Sequence, residues 1–134
     1  MAVATSKKPS QEYIPGVCNI GPAERRKRRN GGIAGVVTTI LILAVLLLTG
    51  DPIWWRLVLI IPAAGAATGF LQDALHFCAG FGMKGIYNVM NSVGVVDNVD
   101  LEEFRLKDKR KAQQIVIWSG LIGVAFALLT LLIP

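Results

Sequence analysis

Apolar residues in this chain are gathered into blocks instead of recurring at helix or strand period. Ile33 to Thr49, Leu57 to Leu71 and Ile115 to Ile133 contain no ionisable residue. A helix needs about 20 mostly apolar residues to cross a hydrocarbon layer about 30 Å thick. The pattern therefore predicts an all-α integral membrane protein with three transmembrane helices, over 32–50, 53–75 and 114–134. Gly50-Asp51-Pro52 opposes helix continuation and makes the first connection a very short turn. Trp54 and Trp55 suit the headgroup layer at the start of the second span, where Arg56 is expected to snorkel to lipid phosphates.

Composition agrees with this and excludes other classes. The 134 residues are 53% hydrophobic and 17% charged, too apolar for intrinsic disorder or a water-soluble enzyme. No stretch between the blocks is long enough to bury its own core. The net charge of +5 is concentrated in two collars: Arg25, Arg26, Lys27, Arg28 and Arg29 before the first span, and Arg105, Lys107, Lys109, Arg110 and Lys111 before the third. Cytoplasmic flanks accumulate such residues. With Lys7, Lys8 and Lys84 on the same side, Arg56 alone is left opposite. The amino terminus is thus expected in the cytoplasm and the protein in the inner (cytoplasmic) membrane as a multi-pass chain. A fourth span over 75–93 would bury Asp73, His76 and Lys84 in lipid and is rejected. The basic runs lack interleaved aromatics for base stacking, so no nucleic acid is expected. Anionic lipid headgroups are the expected partner of Arg25 to Arg29 and of Lys109, Arg110 and Lys111, each worth about 1 kcal/mol near the surface.

The remaining segments read as surface pieces. Residues 1–21 are expected to be a polar tail without the features of a secretory signal. Gly21-Pro22-Ala23-Glu24 has the chemistry of a helix start, giving a basic interfacial helix over 22–31 that joins the first span flexibly at Asn30-Gly31-Gly32. Residues 76–113 read as a second interfacial helix followed by a charged connection, acidic at its start and basic at its end. Small residues four apart, Gly31 and Gly35, Gly65 and Gly69, and Ser119 and Gly123, suit close helix approach in lipid. Ala63, Ala64, Ala66 and Ala67 widen the second patch, so the second span is expected at the packing centre.

Candidate chemistry is confined to one region. His76, Cys18 and Cys78 all fall at the predicted cytoplasmic face, where they offer a metal or haem ligand set or a reactive thiol. His76 among aromatics also offers a pigment or quinone contact. The competing reading makes Cys78 a small buried hydrophobe and Asp73 with His76 or Lys84 a polar contact capping the second span. Phosphate-binding, nucleophile-elbow and carboxylate-pair patterns do not occur, so catalysis and a bound cofactor are not expected. Asn19-Ile20-Gly21, the basic helix, the tight hairpin, Gly69-Phe70, Phe77-Cys78 and Gly85-Ile86 together resemble the small YgaP-like inner-membrane domain linked to rhodanese sulfurtransferases. The resemblance covers residues 18–88, with Ala79 where that pattern has proline. It implies a bacterial inner-membrane location, self-association through helices and sulfur handling at Cys78. The leading expectation is a non-catalytic accessory or structural subunit of a larger membrane complex, or a homo-oligomer.

Overall fold

A computed structural model describes residues 12–134. Helix α1 covers Pro22–Thr49 without interruption, about 42 Å at 1.5 Å per residue. Pro22 occupies its first turn, where a missing N–H costs nothing, and Gly50 ends it in the left-handed conformation. A 3₁₀ segment, Ile53–Leu59, leads directly into α2, Ile60–Leu75. Pro62 thus falls in the first turn of α2, where proline is tolerated. A short helix, α3 (Ala79–Lys84), and two two-residue strands follow, β1 (Ile86–Tyr87) and β2 (Asp97–Asn98), paired antiparallel. Helix α4 covers Glu102–Thr130. Among the described residues, Pro22–Thr49, Ile53–Leu75 and Glu102–Thr130 are long and apolar enough to cross a membrane.

Two expectations are corrected, and the charged connection, whose second half reads as helical, proves helical over more of its length. The polar tail is not a tail over its described part: Cys18, Asn19 and Ile20 are buried, and residues 1–11 lie outside the described residues. The interfacial helix and first span are one helix, with no joint at Asn30-Gly31-Gly32. Glycine in a helix costs up to about 1 kcal/mol, and here contact with α2 offsets it: a Cβ on Gly69 would lie 2.5 Å from the Gly32 nitrogen and 2.6 Å from the Arg28 carbonyl. The charged connection before the third span is likewise helical from Glu102 onward. Its acidic first turn, Glu102 and Glu103, complements the positive end of the helix dipole.

Helix α2 is the spine, with α1 and α4 both packed against it. A Cβ on Gly35 would lie 2.8 Å from the Ala66 Cα, and one on Gly123 would lie 2.8 Å from the Ile60 carbonyl. Gly31 and Gly65 face open space instead, so only one glycine of each of those two pairs sits at a helix contact. Ser119 is buried on α4. Below the helices, Phe77, Ala79, Ala112 and Ile115 form a small core with Leu71 packed on it, tying the α2–α3 turn to α4.

The opposite end is closed by Arg56. Rather than reaching outward, its Nη1 donates to the carbonyls of Thr130 at 2.6 Å and Ile133 at 2.7 Å. The last carbonyls of a helix lack intrahelical donors and carry partial negative charge. A buried guanidinium satisfies both needs, so the expected lipid contact of Arg56 gives way to a helix cap. Trp54 and Trp55 beside it stay exposed.

The close approaches give a first test. Gly35→Leu should destabilise the bundle by about 2 kcal/mol through overpacking against Ala66, whereas Gly31→Leu, with open space at its Cβ, should raise stability by up to about 1 kcal/mol through the gain in helix propensity. Thermal unfolding in mild detergent, followed by circular dichroism, compares the two.

Candidate functional site

Polar chemistry concentrates at the basic end of the bundle, around Asn19. Its side-chain Oδ1 accepts from the Cys78 N–H at 2.6 Å and its Nδ2 donates to the Cys78 carbonyl at 3.1 Å. Its own N–H donates to the His76 carbonyl, and its carbonyl accepts from the Asn88 N–H. One fully buried side chain thus supplies an acceptor to the Cys78 N–H and a second donor to its carbonyl, which also accepts from the Gly82 N–H, and fixes two loops. Gln72 assists by accepting from the Ala79 N–H at 2.8 Å. The left-handed backbone of His76 (φ 57°) turns the chain there, with the His76 N–H donating to the Asp73 carbonyl and the Phe77 N–H to the Gln72 carbonyl.

A second buried group lies one turn along. Glu24 is 2% exposed. Its Oε1 pairs with Arg28 Nη2 at 3.3 Å, and its Oε2 accepts from Asn88 Nδ2 at 3.3 Å and from the Gly94 N–H at 3.4 Å. The same Arg28 Nη2 donates to Cys78 Sγ at 3.0 Å, and its guanidinium lies 5.5 Å from the centre of the Phe81 ring. Burying a carboxylate costs several kcal/mol unless it is paired; here the guanidinium and two N–H donors supply the pairing. The sequence singles out Asn19 only within Asn19-Ile20-Gly21 and Glu24 only as a first-turn carboxylate, although its i,i+4 spacing to Arg28 is legible; Gln72 and Asn88 are missed, because a lone amide that pairs with backbone groups carries no sequence pattern.

Cys18, His76 and Cys78 are close to this cluster but do not form a ligand set. Among the described residues no group of three His, Cys, Asp or Glu side chains is placed to hold a metal ion, which corrects the metal reading. The two thiols are turned to different partners. Cys18 Sγ donates to the Ile20 carbonyl at 3.6 Å, while Cys78 Sγ accepts from Arg28. Burial raises the pKa of the Cys18 thiol, with the Ile20 bond and Arg25 opposing the rise more weakly; a raised value disfavours the thiolate that a reactive cysteine needs. His76 and Cys18 share an open cleft of about 430 Å³ with Val17, Leu75 and Lys111.

The first collar is also not what its charge suggested. Arg25 Nε pairs with Asp73 Oδ1 at 3.1 Å and Arg29 Nε with Asp73 Oδ2 at 3.0 Å, so one carboxylate at the end of α2 holds two cations of α1. Arg25, Arg28 and Arg29 therefore face protein partners as well as the surface. Arg26, Lys27, Lys109 and Arg110 are exposed, and Lys111 is half-buried.

Residues 13–16 strap the amino-terminal segment across α4. The Tyr13 hydroxyl donates to Asp108 Oδ2 at 2.6 Å and the Gly16 N–H to Asp108 Oδ1 at 2.7 Å. The Tyr13 ring stacks on Tyr87 with centroids 4.3 Å apart. Burial, then the bond to Asp108 and its charge, raise the Tyr13 pKa well above 10.

Comparison with known proteins finds no matching family model, no matching curated protein and no matching solved structure.

Two tests follow from the geometry. Asn19→Ala leaves the Cys78 N–H buried without a partner, at about 1–3 kcal/mol, removes one of the two donors to the Cys78 carbonyl, which keeps the Gly82 N–H, and deletes a fully buried side chain. It should therefore lower stability by about 3 kcal/mol, against less than about 0.5 kcal/mol for the exposed Asn30→Ala. The strap has a pH signature. A folded-state pKa raised above the ordinary value of 10.0 means that the Tyr13 contribution is whole below pH 10 and is lost as pH rises further. The melting temperature of wild type should exceed that of Tyr13→Phe up to pH 10, and the gap should close above it. A gap that widens with alkali would contradict this assignment.

Proposed function

We propose that the chain is a non-catalytic multi-pass protein of the bacterial inner membrane, with its amino terminus in the cytoplasm, that serves as an accessory subunit by docking a transmembrane helix of another chain. The observation that carries this reading is an apolar groove of about 340 Å³ between α1, α2 and α4. Val36 and Ile40 form one wall, Ile122 and Phe126 the other, and Ala63, Ala66 and Ala67 the floor. Its one hydroxyl, on Thr39, donates to the Gly35 carbonyl at 2.7 Å and so makes no demand on a ligand.

In lipid there is little hydrophobic drive between helices, and association depends on close backbone approach over small residues. An alanine floor between two taller walls suits a helix better than it suits a headgroup or a polar substrate. The two basic collars at one end of the bundle support the orientation, and the large apolar side chains left exposed along α1 and α4 support the bilayer.

A second reading, sulfur chemistry at Cys78, draws on the Arg28 guanidinium 3.0 Å from its sulfur and on the resemblance to the YgaP-like domain. Cationic neighbours favour a thiolate. Cys78 is 4% exposed, so this reading requires α3 to move before a substrate arrives. Resistance of Cys78 to a small alkylating reagent in the folded protein would remove it.

For the leading reading, a photo-crosslinking residue at position 67 should capture another membrane polypeptide in native membranes, while one at position 61, on an exposed part of α2, should not. Ala67→Phe should fill the groove and abolish the crosslinked complex. Capture of a second copy would identify the partner helix as its own. A lone monomer after gentle extraction, with no crosslink from position 67, would overturn the proposal, and a cytoplasmic reporter fused after Pro134 would overturn the orientation.

A further inference from the structure

Several cations of this chain are committed to a carboxylate, a ring or a helix end inside the molecule, whereas others are not. Arg25 and Arg29 pair with Asp73, Arg28 with Glu24, and Arg56 with the carbonyls at the end of α4. Lys107 lies over the Phe104 ring, 5.9 Å from its centre. By contrast, Lys84, Arg105 and Lys109 converge on one polar cleft of about 270 Å³ between α3 and α4, and among the described residues none of the three has a carboxylate within ion-pair distance. Arg105 and Lys109 are four apart on α4, the spacing at which like charges on a helix repel. The nearest acidic side chain of the cleft, Glu102, leaves it with net positive charge.

The cleft is also organised. Arg105 Nε donates to the carbonyl of buried Val99 at 2.6 Å, which anchors the guanidinium while committing only one of its donors. Gly85, with φ 71°, lies under the Arg105 side chain: a Cβ there would come within 3.4 Å of its Cδ and Nε. Met83 and Leu106 give the cleft an apolar lip. Three cations without a carboxylate partner, one of them held in place, line a cleft of about 270 Å³, which leaves ample room for a phosphoryl group and part of what carries it.

We propose that Lys84, Arg105 and Lys109 form a binding site for a phosphomonoester group, supplied by a lipid headgroup or by a free phosphate. Guanidinium and ammonium donors suit phosphate oxygens, the former in bidentate fashion. Lys109 precedes the apolar stretch of α4, which begins at Ile115, by six residues, about 9 Å along the helix. A bilayer around that stretch would bring its phosphate layer to the level of Lys109 and the cleft, with its acyl chains on the Ile115 side. The site is separate from the helix-docking groove and stands or falls independently of it.

The test uses the full chain with two probes: inorganic phosphate in neutral detergent, followed by equilibrium dialysis, and phosphatidic acid in phosphatidylcholine nanodiscs, followed by native mass spectrometry. The double variant Lys84→Gln, Lys109→Gln should weaken retention at least tenfold with unchanged helical content and melting temperature. The double variant Lys7→Gln, Lys8→Gln, which removes equal charge outside both collars, should change it less than twofold. Retention of inorganic phosphate assigns the site to a soluble phosphate; retention of phosphatidic acid alone assigns it to a lipid headgroup. Retention of neither probe, or equal losses in the two double variants, would overturn the proposal.

Discussion

The pairing of the Asn19 side chain with both backbone groups of Cys78 is the interaction on which the basic end of the structure depends. Between α2 and α4 the chain has only a six-residue helix and two short strands, so most of its peptide groups cannot find partners within regular structure. A buried peptide without a partner costs about as much as a lost hydrogen bond. Asn19 presents a donor and an acceptor in the geometry of a strand edge, and its own backbone completes the link to His76 and Asn88. The close passage of Gly21 over Val89, where a Cβ would come within 2.7 Å of the carbonyl, belongs to the same junction.

The other end is held by a different device acting on the same problem. Arg56 supplies donors to carbonyls that the end of α4 leaves unsatisfied, and in doing so locks the start of the second apolar segment to the end of the third. The middle is held by neither hydrogen bonds nor charge. There Gly35, Gly69 and Gly123 remove side-chain bulk at the crossings, so α1 and α4 approach α2 closely without filling the space between them. The groove is a consequence: helices that meet a common spine on two sides leave a furrow above its small residues.

The two basic collars show why charge alone is a poor guide to contact. Five consecutive cations before the first span are one electrostatic feature in sequence, yet the helix distributes them around its circumference. Arg25 and Arg29, one turn apart, meet Asp73, Arg28 meets Glu24 and Cys78, and Arg26 and Lys27 remain outside. The rotational phase that decides this is set by the Gly32, Gly35 and Gly69 contacts, the last of which reaches the Arg28 carbonyl. Similarly, Asp108 lies within a charged run, and its burial follows from Tyr13 and Gly16 reaching it from more than ninety residues earlier.

By itself the sequence determined the three apolar helices, the break at Gly50-Asp51-Pro52 and the centrality of the second. These follow from local composition: block length, Gly and Pro at the breaks, small residues in the second block. Only the tertiary structure decided that the first helix is continuous through Gly31-Gly32, that residues 12–21 are packed, that Arg56 is a cap, and that Cys18, His76 and Cys78 do not converge on a metal. Each of those outcomes turns on partners dozens of residues away. A glycine pair reads as a hinge until a neighbouring helix is laid against it, and a cysteine reads as a ligand until an arginine from another helix is seen to occupy its sulfur.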